Sequence, residues 1–148
     1  MIQPKHIEDI NIVDIDEIML IESCSYKNPW VRNHFENDIN NKNSMNYIYR
    51  KDKEILGYLF GYLIKDEYQL NKITVKEEFR SQKIGKLLFS HCLNQLINLN
   101  VKCVQLEVSS LNLIAQRFYK KIGFIRVGIR KKYYSEFEDA LLYNLEIK

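Results

Sequence analysis

Residues 79–86 combine positive charge, a glycine and the start of an amphipathic helix, and this combination suits phosphate binding. The stretch reads Phe-Arg-Ser-Gln-Lys-Ile-Gly-Lys and follows the strand-like segment Gln69–Val75. From Ile84 onward, apolar residues recur with helical spacing, at positions 84, 87, 88, 92 and 96. A helix beginning there directs unpaired N–H groups and the positive end of its dipole into the turn. The stretch therefore predicts a phosphate-binding turn, and the alternative is a plain strand-to-helix connection whose lysines are solvated.

The elements that must position this turn follow from hydrophobic patterning and from turn residues along the chain. In order, the sequence predicts a helix at Ile7–Ser23, a break at Asn28-Pro29-Trp30, a short helix at Val31–Ile39, a hairpin of Met45–Arg50 with Ile55–Lys65, a strand at Tyr68–Val75, a helix at Ile84–Asn98, a buried strand at Val101–Val108, a helix capped by Asn112 and ended by Gly123, and a closing hairpin of Phe124–Tyr133 with Ala140–Ile147. This order predicts a mixed sheet with helices on its faces.

Composition narrows the class of protein. With 148 residues, 46% of them hydrophobic, the chain predicts a single domain, 1–148. Its longest apolar run, Ile55–Ile64, is too short for a membrane span, which needs about 20 residues, and five acidic residues in Ile7–Ile21 are untypical of a signal peptide. The three cysteines form no CxxC pair, the three histidines show no metal-ligand spacing, and the net charge of +3 is dispersed. We therefore expect a cytoplasmic location and no metal, membrane or direct nucleic-acid partner.

Several further motifs carry a resemblance to a known family. Residues Arg80-Ser81-Gln82-Lys83-Ile84-Gly85 are similar to the acetyl-CoA motif Gln/Arg-x-x-Gly-x-Gly/Ala. The other matching segments are Asn28-Pro29-Trp30, Leu106-Glu107-Val108, Asn112, Phe118-Tyr119, Ile122-Gly123-Phe124, Arg130-Lys131-Lys132-Tyr133-Tyr134 and Glu138-Asp139-Ala140. Over essentially its whole length, the chain resembles the GCN5-related N-acetyltransferases (GNAT superfamily), and among them the RimI-type ribosomal-protein alanine N-acetyltransferases.

The resemblance implies a fold and a cosubstrate. The fold is of the α/β (α+β) class: a mixed, mostly antiparallel sheet with helices on both faces and a splay between the fourth and fifth strands, here Ile73–Val75 and Val104–Val108. Acetyl-CoA is then expected to contact backbone groups along the splay, the phosphate-binding turn and Asn112. The expected acetyl-CoA residues are Ile73, Thr74, Val75, Arg80, Ser81, Gln82, Lys83, Ile84, Gly85, Lys86 and Asn112.

The resemblance also implies catalytic and acceptor residues. Glu107 is expected to accept a proton from the attacking amine, and Tyr119 to protonate the departing thiolate. A solvated or ion-paired carboxylate and a core tyrosine are the purely structural alternatives. The candidate acceptor-binding residues are Trp30, Tyr133, Tyr134 and Glu138.

Two departures from the family pattern stand out. Lys83 replaces the first glycine of the motif, and Ser109 stands where RimI-type proteins usually carry arginine. If the backbone at position 83 is left-handed, a side chain there costs up to ~1–2 kcal/mol.

Three functions remain open from the sequence. The expected function is acetylation of a protein N-terminus, that of a small-subunit ribosomal protein, by a monomer or weak dimer. The alternatives are acetylation of a small amine (polyamine, amino acid or aminoglycoside) and a non-catalytic CoA-binding interaction module.

Overall fold

The computed structural model describes residues 6–148. In chain order, its helices and strands are β1 (Ile7–Asp9), α1 (Ile15–Ser25), α2 (Arg32–Asn40), β2 (Tyr47–Lys51), β3 (Glu54–Ile64), β4 (Glu67–Val75), α3 (Ile84–Asn98), β5 (Cys103–Ser109), α4 (Leu113–Lys121), β6 (Ile125–Ser135) and β7 (Glu138–Glu146). Among these residues, no helix is both long and apolar enough to cross a membrane.

The strands form one sheet in the order β1-β2-β3-β4-β5-β7-β6. Every neighbouring pair is antiparallel except β4 with β5, which run parallel. That parallel pairing covers only Glu67–Gln69 against Cys103–Gln105, so the two strands separate beyond it. The predicted mixed, mostly antiparallel sheet and its splay between the fourth and fifth strands are therefore confirmed.

A bulge turns β4 over at the point where it leaves β5. The register against β3 shifts between Phe60 and Gly61, and Asn71 is the unpaired residue on β4. Before the bulge, Tyr68 and Leu70 pack into the core beneath α3. After it, Lys72 points to the opposite face, where it meets α1. The second half of β4 therefore borders the splay, and its side chains point to the opposite faces from those that the first half would predict.

The helices cover the sheet on both faces, and each face has its own core. The larger core lies under α3 and α4 and includes Tyr68, Leu88 and Tyr119. The smaller core lies under α1 and α2 and includes Ile18 and Phe35. Because the splay opens between the two cores, a ligand in it is accessible to side chains from both.

The predicted helix at Ile7–Ser23 is wrong over its first residues. Ile7–Asp9 is an edge strand paired with β2, and the pairing continues through the Ile10 amide, which donates to the Asn46 carbonyl. A short 3-10 turn follows at Ile12–Asp14, and α1 begins only at Ile15. The spacing of apolar residues in this segment is compatible with a helix. Hydrogen bonding to a strand some forty residues later in the chain makes its first residues a strand instead.

The remaining predicted elements are confirmed to within a few residues at their ends. The structure also confirms both predicted terminal signals of α4. The Asn112 side chain accepts a hydrogen bond from the Ala115 amide at 3.0 Å, and Gly123 follows the helix with φ +113°.

Candidate active site

One edge of β4 presents backbone groups to the splay. The Lys76 amide donates to the Leu56 carbonyl on β3 at 2.8 Å. Because hydrogen-bonded pairs alternate along antiparallel strands, Thr74 also directs its backbone groups toward β3. Ile73 and Val75 therefore direct theirs away from β3, into the gap beside β5. An amide at Val75 is thus available to a carbonyl oxygen lying in the splay.

The predicted phosphate-binding turn has an irregular backbone and an uncapped helix. Ser81 and Lys83 both adopt left-handed conformations, with φ 64° and 67°, so the motif's glycine position does require a positive φ. The first helical hydrogen bond of α3 runs from the Leu87 amide to the Lys83 carbonyl at 3.0 Å, and no side chain caps the helix. The three amides before Leu87 are therefore free to bind an anion.

Charged side chains surround the same turn. Lys83, Lys86 and Gln82 are exposed there. Arg80 instead folds back: its Nε donates to the Val75 carbonyl at 2.9 Å, and its guanidinium reaches the Ser25 hydroxyl at 3.4 Å. Arg80 thus ties the turn to the end of β4, while the two lysines remain available to phosphate. These residues fit the polyphosphate portion of a coenzyme A.

Helix α4 brings Asn112 and Tyr119 to the same side of the splay. A Cβ on Gly85 would lie 3.3 Å from the Phe118 ring, so α4 packs directly against the start of α3. The Asn112 side-chain oxygen is used in capping, which leaves its amide nitrogen for a ligand. Tyr119 is buried, and its hydroxyl has no hydrogen-bond partner among residues 6–148.

The electrostatic setting of Tyr119 keeps its hydroxyl protonated. Burial raises the pKa of Tyr119 well above its usual value, and the phenol of Tyr26 raises it further. Tyr119 belongs to the helix that meets the start of α3 beside the end of β4, where a Cβ on Gly85 would lie 3.3 Å from Phe118 and 3.7 Å from Val75. On the other face of β4, Tyr26 hydrogen-bonds the Thr74 hydroxyl at 2.6 Å. A neutral phenol is chemically able to donate a proton.

Glu107 reaches the splay from the opposite face of the sheet. On β5, Leu106 and Val108 are buried in the core under α3 and α4, so Glu107 between them points the other way. Its carboxylate forms an ion pair with Arg130 at 3.3 Å, and 26% of the side chain is exposed. Glu107 is therefore ion-paired, as one of the structural alternatives had it, and its partner is an arginine from β6. The carboxylate nevertheless remains accessible to a ligand.

A cleft of about 760 Å³ lies over Glu107. Its lining also includes Trp30, Tyr133 and Tyr134, three of the four candidate acceptor-binding residues, together with Asn71 at the bulge. Glu138, the fourth, does not line the cleft. Its carboxylate accepts a hydrogen bond from the Ser109 hydroxyl.

The two tyrosines reach the cleft because the β6–β7 hairpin is irregular. Pairing passes from Arg130 with Ala140 directly to Ser135 with Glu138, so residues 131–134 face Asp139 alone. The Asp139 carboxylate accepts a hydrogen bond from the Lys132 amide at 2.8 Å, where the backbone is left-handed with φ 53°. This bulge widens the hairpin and displays its aromatic residues beside Glu107.

Comparison with known proteins agrees with this geometry. The sequence model of the acetyltransferase (GNAT) family matches residues 15–124. This chain belongs to that family. It is accordingly an N-acetyltransferase.

Relatives of this GNAT enzyme match it over most of their length. A Bacillus subtilis (strain 168) protein is 32% identical over 138 residues, which are 92% of this chain and 91% of that protein. The [ribosomal protein bS18]-alanine N-acetyltransferase of Haemophilus ducreyi is 30% identical, over 86% of this chain and 88% of its own. The crystal structure of the ribosomal-protein-S18-alanine N-acetyltransferase from Escherichia coli superposes with a TM-score of 0.89 at 25% identity, covering 96% of this chain and 93% of that one.

The GNAT enzyme also contains site residues that the sequence analysis did not assign. These are Arg130 beside Glu107, Tyr26 beside Thr74, and a buried Glu22–Lys72 pair behind the cleft. The sequence signal for them is weak, because their partners lie 23 to 50 residues away along the chain. Among residues 6–148, no group of three or more His, Cys, Asp or Glu side chains could hold a metal ion.

Proposed function

We propose that this GNAT enzyme transfers the acetyl group of acetyl-CoA to the N-terminal α-amine of a protein, with the N-terminal alanine of a small-subunit ribosomal protein as acceptor. The observation that carries the proposal is the placement of Glu107 and Tyr119. Glu107 lines the cleft on one face of the sheet, and Tyr119 lies on the other face in α4, whose Phe118 meets Gly85 beside Val75. We assign Glu107 as the proton acceptor and Tyr119 as the proton donor.

The donor-binding role rests on backbone and charge. When bound, acetyl-CoA supplies a thioester carbonyl as the electrophile. The splay-facing groups of Ile73 and Val75 suit the pantetheine arm, the Asn112 amide suits its carbonyl groups, and the turn at 80–86 suits its phosphates. Two acetyltransferases of the same fold have crystal structures in complex with this ligand: one from Thermoplasma acidophilum with coenzyme A (TM-score 0.81) and one from Bacillus anthracis with acetyl coenzyme A (TM-score 0.69).

Proton transfer from the amine is assigned to Glu107, and Arg130 orients its carboxylate. An α-amine has a pKa of about 7.7–8.0, whereas that of lysine is about 10.4. Generating the neutral lysine amine at pH 7 therefore costs roughly 3 kcal/mol more. One partly exposed carboxylate suits the α-amine, of which roughly 20–30% is already neutral at about pH 7.4.

Two other groups are proposed to stabilise the negative charge that develops on the thioester oxygen and on the departing sulfur. The Val75 amide donates to the carbonyl oxygen as negative charge develops there. The Tyr119 hydroxyl donates its proton to the sulfur as the carbon–sulfur bond breaks. The raised pKa of Tyr119 keeps this proton in place between turnovers.

The acceptor is proposed from the shape of the cleft and from the relatives. The cleft is open, holds about 760 Å³ and has aromatic walls formed by Trp30, Tyr133 and Tyr134, which suits the first residues of an extended peptide. The H. ducreyi and E. coli proteins are both named for the alanine of ribosomal protein bS18 or S18. Together these features favour a protein N-terminus over a small amine.

The proposal is tested by an acetyl-CoA turnover assay that detects free thiol. The acceptors are a basic peptide beginning with alanine, the same peptide with a blocked N-terminus, a lysine-containing peptide with a blocked N-terminus, and spermidine. We expect turnover with the first peptide only. The control enzyme is the double variant Glu107→Gln/Tyr119→Phe, whose activity defines the background.

Other outcomes assign other functions. Turnover with spermidine alone would replace the proposal with small-amine acetylation. A third outcome is no turnover with any of the four acceptors. If the wild type also binds acetyl-CoA poorly and Lys83→Gly binds it tightly, the result would favour a non-catalytic interaction module.

A further inference from the structure

A fully buried carboxylate lies behind the acceptor cleft. Glu22 on α1 has no exposed surface, yet it is ionisable. Its two oxygens accept hydrogen bonds from the Trp30 amide at 2.8 Å, the Tyr58 hydroxyl at 2.6 Å and the Lys72 ammonium. All of these donors come from other elements, so Glu22 joins α1, β3, β4 and the connection between α1 and α2.

The Lys72 ammonium is enclosed by two aromatic rings as well as by this carboxylate. Its nitrogen lies 4.1 Å from the centroid of the Tyr26 ring and 4.1 Å from that of Trp30. Two ring faces and a carboxylate make a cation-binding cage, and here a lysine of the chain itself fills it. Burial lowers the pKa of Lys72, while the hydrogen bond to Glu22 raises it.

Trp30 connects this cage to the cleft. Its ring stacks on His34, with centroids 3.8 Å apart and planes 9° from parallel, and both residues line the cleft. Lys72 and Glu22 do not line it. Residues 26–31 form no helix or strand, so contacts with other elements hold Trp30 in place. Its amide donates to Glu22, and its ring packs on Lys72, His34, Phe35 and Phe60. Among these partners, Glu22 and Lys72 are the pair that joins Trp30 to α1 and β4.

We propose that Glu22 and Lys72 are positioning residues for the acceptor, which together fix Trp30 as a wall of the cleft. This inference rests on the proposed function, because the acceptor is taken to be a peptide in that cleft. The contacts of both side chains lie on the face covered by α1 and α2 and involve neither the turn at 80–86 nor α4, so we expect the effect to fall mainly on the acceptor.

Steady-state kinetics separate this role from general destabilisation. In Lys72→Met, which keeps the length of the side chain but removes its charge, we expect the KM for the alanine peptide to rise about tenfold. The KM for acetyl-CoA and kcat should change by no more than about twofold. Lys72→Arg keeps a cation between the rings and should restore most of the peptide affinity. The matched control is Lys76→Met, which removes another lysine paired with a glutamate, Glu54, and should leave the peptide KM unchanged.

The fluorescence of Trp30 tests the contact without any turnover. Trp30 is the single tryptophan of the chain, so its emission and its quenching by acrylamide report on this wall alone. In Lys72→Met we expect red-shifted emission and stronger quenching, and in Lys72→Arg and Lys76→Met no change. If the wild type acetylates no α-amine peptide, the proposed function fails, but this measurement still decides whether Lys72 holds Trp30.

An unpaired buried Glu22 could prevent Lys72→Met from folding. The double variant Glu22→Gln/Lys72→Met removes both charges and should show the same peptide-KM and fluorescence changes. Unchanged Trp30 quenching in a folded variant, or equal increases in both KM values, would overturn the inference.

Discussion

The two sides of the splay are built from different parts of the chain. The acetyl-donor side consists of backbone groups at Ile73 and Val75, the turn at 80–86 and helix α4, so most of it lies in short continuous segments. The acceptor side consists of side chains from the α1–α2 connection, α2, β4, β5 and the β6–β7 hairpin. A site made of backbone groups tolerates changes of side chain, whereas a site made of side chains does not.

The cores behind the two sides differ in the same way. Behind the donor side, the buried residues of the core are apolar apart from the hydroxyls of its tyrosines and the thiol of Cys92. Behind the acceptor side, the apolar core adjoins the buried Glu22 and its partner Lys72. Buried ion pairs are a poor source of stability but constrain geometry, because removing either partner leaves an uncompensated charge. The acceptor side is therefore where geometry depends on individual polar residues.

The largest effect is expected from Glu107→Gln, which alters only the acceptor side. The substitution removes the carboxylate assigned to accept the amine proton, so kcat/KM for the peptide should fall by about 10³. Acetyl-CoA affinity, measured by equilibrium binding, should stay within about twofold. Glu146→Gln, at the exposed end of β7, is the matched control. A parallel loss of acetyl-CoA affinity would mean that Glu107 is structural.

The next effect is expected from Tyr119→Phe on the donor side. Loss of the proton donor should reduce kcat by about 10². Because the hydroxyl forms no hydrogen bond to any side chain or backbone group of residues 6–148, the free energy of unfolding in urea should stay within about 0.5 kcal/mol of the wild type. Tyr143→Phe, another buried tyrosine of the same core, is the control and should leave kcat unchanged. A destabilised but active Tyr119→Phe would make this tyrosine a packing residue.

The pH dependence follows from the raised pKa of Tyr119. An unfolded tyrosine releases its proton near pH 10, whereas folded Tyr119 retains it. The unfolded state then binds fewer protons, so stability from this group is present below about pH 10 and is lost as pH rises toward the folded pKa. Urea unfolding at pH 8 and pH 11 should show a smaller alkaline loss in Tyr119→Phe than in the wild type. Equal losses would contradict the raised pKa.

A smaller effect is expected from Lys83→Gly in the turn. Glycine relieves the left-handed strain, which should raise the free energy of unfolding by about 1 kcal/mol. Loss of the charge should raise the KM for acetyl-CoA about threefold while the peptide KM is unchanged. Lys65→Gly, at another left-handed position with φ 57°, should show the stabilisation alone. An unchanged acetyl-CoA KM would remove Lys83 from the phosphate site.

The smallest effect is expected from salt. Raising ionic strength from about 0.05 M to about 0.2 M screens exposed charges, so the KM for acetyl-CoA should rise about twofold. For a peptide with uncharged side chains, the KM should change less, because such a peptide carries charge at its N-terminus and not along its length. A larger salt effect on that peptide would place the main electrostatic attraction on the acceptor side.

The sequence by itself determined most of the framework. The helix over residues 84–98, the capped helix after Asn112 and the two hairpins follow from local apolar spacing and turn residues, because each depends on neighbours within a few positions. The glycine of the family motif pointed to position 83 as one where a left-handed backbone would matter, and the structure has φ 67° there. Where a distant strand competes, as at Ile7–Asp9, local pattern predicted the wrong element.

Only the tertiary structure decided how the acceptor side is held. Three arrangements join residues 23 to 46 positions apart: the ion pair of Glu107 with Arg130, the hydrogen bond of Ser109 to Glu138, and the enclosure of Lys72 by Tyr26 and Trp30. Which partner a long side chain contacts depends on the direction in which it points and on how deeply it is buried. Here the β4 bulge and the widened β6–β7 hairpin set both, and spacing along the chain does not reveal them. Backbone sites are legible in sequence because their geometry is local, whereas side-chain sites become visible when the fold brings their parts together.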